Sequence, residues 1–398
     1  MNLETAVVAE RGTVGGPGGR TAGDPLSGFC EQAFGSLSRS DQRRWGELYV
    51  RGLVTIPGRK TIRKISELAG GTAADQSLQQ FVNQSPWDWG PVRSELAHLV
   101  AGSAPVEAWI AAEVAFPKNG DSSVGVCTQY VGPAARTLNC QLAVALSFAG
   151  PAFCCPVNWR LMLPRSWDRD FRRRSRSHLP ATERHRPGWQ HVLDLLDEAV
   201  DGWGAAPRPV LADRRHDPDV EQLVGGLDER GLRYLVRIGD DLPIPVAGTQ
   251  VRAADAQRGL SGERIAQPAA GGHRARPHYV ATPLPGPARG PARRPGPGPV
   301  AAPGRWLVSR RLGGTTTGLW LTDLGHDLAA VIRLTHLLDR SRRHHADFER
   351  GSGLHHFEGR SFRGWHHHVT LASAAHAYLL LAAAAGAGLV PAPRAAFA

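Results

Sequence analysis

The sequence predicts an α/β fold, a mixed sheet flanked by helices, and three observations carry that reading. First, four short runs rich in β-forming residues lie between 108 and 163: AWIAAEVAF (108–116), SVGVCTQYV (123–131), LNCQLAVALSFAG (138–150) and VNWRLML (157–163). Gly, Pro and Asn separate them, and Leu138, Cys140, Leu142, Val144 and Leu146 alternate strictly, as in an antiparallel meander. Second, helical and strand periods alternate afterwards. GWQHVLDLLDEAVDGWG reads as a helix, PRPVLADRRH as a strand running into Asp213, DPDVEQLVGGLDERG as a helix with Val220, Leu223, Val224 and Leu227 on one face, and LRYLVRI as a strand. Third, residues 29–100 are helical in period, so the sheet is preceded by an all-helical region.

At 398 residues the chain is long enough for two or three domains of ~100–200 residues, or for one large core with decorations. Residues 1–28 read as a disordered lead-in. In the helical region 29–100, Trp45, Leu48, Tyr49 and Leu53 fall on one stripe, with Ser40 as the expected cap. GRKTIRKISELAGG places Arg59, Lys60, Arg63 and Lys64 on an outer face, which either sits on phosphates or is an exposed basic helix with no partner. The sheet core spans 101–246. Residues 247–304 are dominated by Pro, Gly, Ala and Arg, so a poorly ordered insertion is expected, with at most a short strand at His278–Thr282. From 305 to 398 the pattern resumes: RWLVSRRL and GLWLTDL as strands, DLAAVIRLTHLLDRSRRHHADFERGSG as a helix, and a final apolar helix.

Lys+Arg 47 against Asp+Glu 36 gives a formal charge of +11, and all but three of the basic residues (Lys60, Lys64 and Lys118) are arginine. That balance favours a polyanionic partner, nucleic acid or an anionic membrane surface, although an Ala/Gly/Pro/Arg-heavy composition also follows from GC-rich coding. The five cysteines form no CxxC pair and no disulfide pattern, which fits a reducing cytoplasm. The N-terminus lacks the basic start and apolar core of a signal peptide. VTLASAAHAYLLLAAAAGAGLV (369–390) reaches the ~20 residues that span a bilayer, but its alanine, two glycines and His376 read better as a buried core helix, so no membrane is expected.

Three carboxylates stand at suggestive places: Glu113 in the first strand, Asp213 at a strand end, and Glu358 at the start of the last helix. Acids converging from separate elements would form an oxygen-rich site for two hard divalent ions, Mg²⁺ or Mn²⁺. Plainer readings compete with these: Asp213 caps the next helix and Glu113 is a rim residue, and Lys118 in FPKNG either contacts phosphate or sits in a turn. LHHFEGRSFRGWHHHVTL also raises a histidine metal site. On a helix beginning at Glu358, however, His366, His367 and His368 splay ~100° apart and cannot enclose one ion, whereas Phe362, Trp365, Val369, Ala372 and His376 share a stripe with Glu358.

WIAAEVAFPKNGDSSVGVCTQYVG, TLNCQLAVALSFAG, CPVNWRLMLPRSW, PVLADRRHDPDVEQLVGGLDERGLRYLVRI and FEGRSFRGWHHHVTL together resemble bacterial insertion-sequence transposases with a DDE-type, RNase H-like endonuclease domain. The resemblance implies an RNase H-like core with catalytic, metal-binding acids at Glu113, Asp213 and Glu358. It also implies metal-dependent cleavage and strand transfer on double-stranded DNA at transposon ends and target, a homo-oligomer on DNA, and a cytoplasmic, nucleoid-associated location. Relatives carry two adjacent acids where this chain has Ala112 and Glu113, so either Glu113 supplies the ligand or the site has lost one. The residues expected to meet DNA are Arg59, Lys60, Lys118, Arg172, Arg173, Arg174, Arg360 and Arg363. Two alternatives stand beside the transposase: a catalytically degenerate remnant that only binds DNA, and a histidine-ligated metallohydrolase.

Overall fold

The protein is described from a computed structural model, which places residues 24–70, 72–246, 248–259, 263–266, 277–284 and 304–386. Five helices come first: α1 (Pro25–Ala33), α2 (Ser40–Thr55), α3 (Ile62–Glu67), α4 (Thr72–Asn83) and α5 (Trp89–Ser103). The expected lead-in therefore stops short of residue 28, because Asp24 caps α1 by accepting the Leu26 amide and Pro25 occupies the first turn, where its missing N–H is no loss; residues 1–23 lie outside the described residues. Ser40 is the first helical residue of α2, and it is not a side-chain cap.

The meander follows as β1 (Ala108–Pro117), β2 (Cys127–Val131), β3 (Arg136–Gly150) and β4 (Phe153–Met162). After α6 (Phe171–Arg176) and α7 (Gly188–Asp197) come β5 (Val210–Asp213), α8 (Val220–Glu229) and β6 (Tyr234–Ile238). β1 pairs antiparallel with β3 and parallel with β5, β3 pairs antiparallel with β4, and β5 pairs parallel with β6. The resulting order β4-β3-β1-β5-β6, two antiparallel strands beside three parallel ones, is the RNase H-like arrangement that the resemblance implies.

Beyond β6 the chain makes a small hairpin of β7 (Pro243–Val246) and β8 (Thr249–Arg252), a helix α9 (Ala253–Gly259), and strands β9 (Glu263–Ala266), β10 (His278–Pro283), β11 (Trp306–Leu312) and β12 (Thr315–Thr322). β12 joins β6, and β11, β10 and β9 follow in order, so the sheet is extended sideways to ten strands. The described residues of 247–304, expected to be poorly ordered, thus form β8, α9, β9 and β10. Composition hides this because the order comes from pairing at a sheet edge and from a few buried small residues, Ala253, Ala256 and Ala281, with Tyr279 and Val280. Two long helices close the chain, α10 (Leu328–Gly351) and α11 (Phe362–Gly386).

α11 is the centre of the helical part. It is the one helix among the described residues long and apolar enough to cross a membrane. Yet of Phe362 to Ala377 only Arg363 is exposed, as α2, α4, α5 and β4 pack around the rest. It begins four residues after Glu358, which lies outside any helix or strand: Gly359 approaches the Phe357 ring and Asn83 too closely for a Cβ, and the first turn forms only beyond it. The expected single stripe is therefore a helix buried on all sides, without Glu358.

At the junction of α5, β4 and α11, Arg93 is wholly buried with all five N–H groups engaged. Nε donates to Thr370 Oγ1 (2.8 Å), Nη1 to Asn158 Oδ1 (3.1 Å) and the Trp159 carbonyl (2.9 Å), and Nη2 to His366 Nδ1 (3.1 Å) and the His366 carbonyl (3.2 Å). Burial draws its pKa down to about 9.

Candidate carboxylate site and cationic surface

Strand geometry decides which acids meet. Side chains along a strand alternate between faces. On β1, Trp109 and Ala111 belong to the core beneath α7 and α8, while Ala108, Ile110 and Ala112 face the core beneath α10. On β5, Val210 and Ala212 share the first face, and Leu211 the second. The parallel register sets Ile110 beside Leu211 and Ala111 beside Ala212. One step further, Ala112 stands beside Asp213, both toward α10, and Glu113 points to the opposite face. There its carboxylate lies 3.5 Å from where a Cβ on Gly188, at the start of α7, would sit, and it accepts from Arg214 Nη1 at 2.8 Å.

Asp213 is held by two guanidinium groups. Arg215 donates Nε and Nη2 to its two oxygens at 3.0 and 3.1 Å, and Arg342 of α10 forms a second ion pair. Arg342 reaches it because Val331, Thr335, Leu338 and Arg342 recur at i, i+4, i+7 and i+11, continuing the stripe that α10 lays on the sheet. The register partner of Asp213 on β6 is Arg237, which is buried and turned to Asp339 of α10. At the C-terminal ends of the parallel strands, where such sheets ordinarily place their chemistry, this chain sets Asp213 against Arg215 and Arg342 and beside Arg237, whose own partner is Asp339.

Glu358 is elsewhere. It is 67% exposed and pairs with Arg59, and Lys118 donates from Nζ to the neighbouring Phe357 carbonyl at 2.9 Å. Lys118 lies six residues beyond Ala112 in continuous pairing with β3, about 20 Å at ~3.3 Å per residue. Measured along α10, Arg342 to Gly351 alone spans about 14 Å. The three predicted acids are thus not brought together, and among the described residues no three His, Cys, Asp or Glu side chains are grouped to hold a metal ion.

The residues present do not fit two divalent ions. One carboxylate supplies at most two of the six or more oxygens such an ion takes. At about 5 Å and an effective dielectric of 20, each guanidinium on Asp213 would repel a divalent ion by about 7 kcal/mol.

The histidines form no alternative centre. His367 lies between the Val82 and Trp87 carbonyls (2.8 and 3.0 Å), and His368 between Tyr49 Oη and the Leu354 carbonyl (both 2.9 Å). With His366 taken by Arg93, the three rings diverge as helical spacing requires. Burial depresses His367 and His376 to about 4 and His368 to about 3. The unfolded chain protonates each near the ordinary value of about 6.5, so stability is full above that pH and falls as pH drops toward the folded values. Acid unfolding monitored by circular dichroism should steepen below pH 6.5 by up to about 1.4 kcal/mol per pH unit for each buried histidine, and His376→Gln, which titrates no group, should flatten it.

The predicted DNA contacts separate by what their side chains already do. Arg173 stacks over Trp167 at 4.2 Å and donates to the Asp121 and Val126 carbonyls, and buried Arg174 donates to the Pro180 and Glu183 carbonyls. Lys60 is buried and Lys118 half-buried, and the loss of solvent lowers both pKa values. Arg363 donates to the Gln84 carbonyl, whereas Arg172 and Arg360 are exposed. Arg165, Arg169 and Arg176, which the sequence places only within a basic stretch, are exposed, and their guanidinium groups make no hydrogen bond or ion pair with a described residue. The signals missed were the strand parity of Ala112 and the α10 stripe ending on Arg342.

The architecture is that of an RNase H-like α/β sheet with an acid, Asp213, at the end of its second parallel strand. The chain belongs to the DDE superfamily endonucleases, whose family pattern matches residues 32–306 and so includes β1, Asp213 and β6 but ends before α10 and Glu358. Members of the family are nucleases that act on DNA and generally use divalent metal ions. No curated protein matches the chain.

Proposed function

We propose that this chain is a transposase-type protein that binds DNA and has lost metal-dependent cleavage. The observation that carries this reading is Asp213: its two oxygens are occupied by Arg215 and Arg342, and its neighbour on the same face is Ala112. The arginines that displace a cation are suited to phosphate, which accepts bidentate guanidinium contacts. In the intact version of this function, two Mg²⁺ or Mn²⁺ ions would activate cleavage at insertion-sequence ends and the freed 3′-hydroxyl would join target DNA, on a homo-oligomer at the nucleoid; the family membership favours that reading and the arginine pairs oppose it.

Supercoiled plasmid tests both together. The chain should retard it in a gel and leave it uncut in Mg²⁺ or Mn²⁺; nicking that vanishes in Asp213→Ala would overturn the proposal. Binding should also weaken steeply with salt, and Arg165→Gln with Arg169→Gln should flatten the slope of log K against log salt by about two, read by fluorescence anisotropy.

A further inference from the structure

The segment between β4 and α7 is a firmly anchored platform. Trp167 is buried and donates to the Val126 carbonyl (3.1 Å) beneath the Arg173 guanidinium, the His185 amide donates to Asp168 (2.9 Å), and the Ser177 carbonyl accepts from the Phe362 amide (2.9 Å). From it projects Phe171, at 78% exposure the most exposed large apolar side chain among the described residues. Phe171, Arg172, Ser175 and Arg176 line a shallow surface hollow of about 420 Å³, and Arg165 and Arg169 line a second, of about 680 Å³, on the same segment.

A lone aromatic with Arg172 and Arg176 in its own hollow and Arg165 and Arg169 in a second hollow of the same segment is a poor surface for an apolar protein partner, which would have to desolvate the arginines. It is a good one for a polyanion that carries flat π faces: the arginines meet phosphates, and the ring stacks on a base. A paired base inside a duplex offers no such face, so the base must be unpaired.

We propose that Phe171 is a stacking platform for an unpaired base at a frayed or single-stranded DNA end, with Arg165, Arg169, Arg172 and Arg176 holding the flanking phosphates. The proposal rests on the DNA-binding reading above and adds the form of DNA preferred.

The test uses the full chain, a blunt duplex, and a forked duplex of equal phosphate count carrying 2-aminopurine in its unpaired arm. The wild-type chain should bind the fork about 5- to 30-fold more tightly than the blunt duplex and quench the 2-aminopurine, the preference equivalent to about 1–2 kcal/mol of stacking. Phe171→Ala should lose both preference and quenching while keeping blunt-duplex affinity, and Phe171→Tyr should keep both. A fork preference unchanged in Phe171→Ala, or absent from the wild-type chain while blunt duplex still binds, would overturn the stacking proposal alone. Failure to bind either DNA would overturn the DNA-binding reading with it. Phosphatidylserine vesicles bound in a Phe171-dependent way, with DNA binding indifferent to that residue, would assign the surface to a membrane instead.

Discussion

Ala112→Asp combined with Arg342→Glu should give this chain a divalent-cation site that the wild-type protein lacks. Ala112 is the β1 residue that shares a face with Asp213, and Arg342 is the α10 residue seated on the Asp213 carboxylate. The two replacements therefore set three carboxylates on one side of the β1–β5 pair and remove one of the two guanidinium groups that repel a cation. Without metal the variant should be less stable than the wild type, because three like charges then crowd one site. With Mn²⁺ at about 100 times its dissociation constant it should recover about 2.7 kcal/mol, read as a rise in Tm with metal concentration. The wild-type Tm should not respond. The informative control is Glu113→Asp with Arg342→Glu, whose acid at position 113 stays on the α7 face and should confer no metal response.

Arg93→Ala should cost about 3–5 kcal/mol, the range for cutting a large side chain out of a core and leaving its acceptors unpaired, and lower Tm by on the order of 10 °C in a calorimetric scan. The loss has two sources. The Asn158, Trp159, His366 and Thr370 acceptors are left buried without their donor, and a cavity opens where α5, β4 and α11 meet. Arg93→Lys should recover only part of it, because an ammonium has three donors where the guanidinium has five. Both variants should retain the salt-dependent DNA affinity of the cationic platform wherever they remain folded, since Arg93 is wholly buried.

The strand and helix pattern was readable because it depends on local period. The strict alternation of Leu138 to Leu146 gave β3, PVLAD gave β5, and the α10 stretch stands within two residues of its expected bounds. What remained hidden depends on relations between elements. Glu113 looks like the acid of its strand until the register sets Ala112, not Glu113, beside Asp213. Glu358 looks like the first residue of a helix, but Gly359 is packed against the Phe357 ring and Asn83, and α11 starts only at Phe362. Arg342 reads as one of several arginines in DRSRRHH, and only the packing of α10 across β5 puts it on Asp213. Arg93 carries no mark in the sequence, and only the packing of α11 against α5 and β4 shows that it is buried. The three histidines were the exception: their splay follows from helical geometry alone, and the structure gives each ring its own partners.

The neutralisation of Asp213 by arginine is tested most directly by titrating the wild-type chain with Mn²⁺ and reading the free ion by electron paramagnetic resonance. The account predicts no stoichiometric binding up to about 1 mM, with Asp213→Ala indistinguishable from the wild type. One or two Mn²⁺ ions bound per chain, and lost in Asp213→Ala, would contradict it.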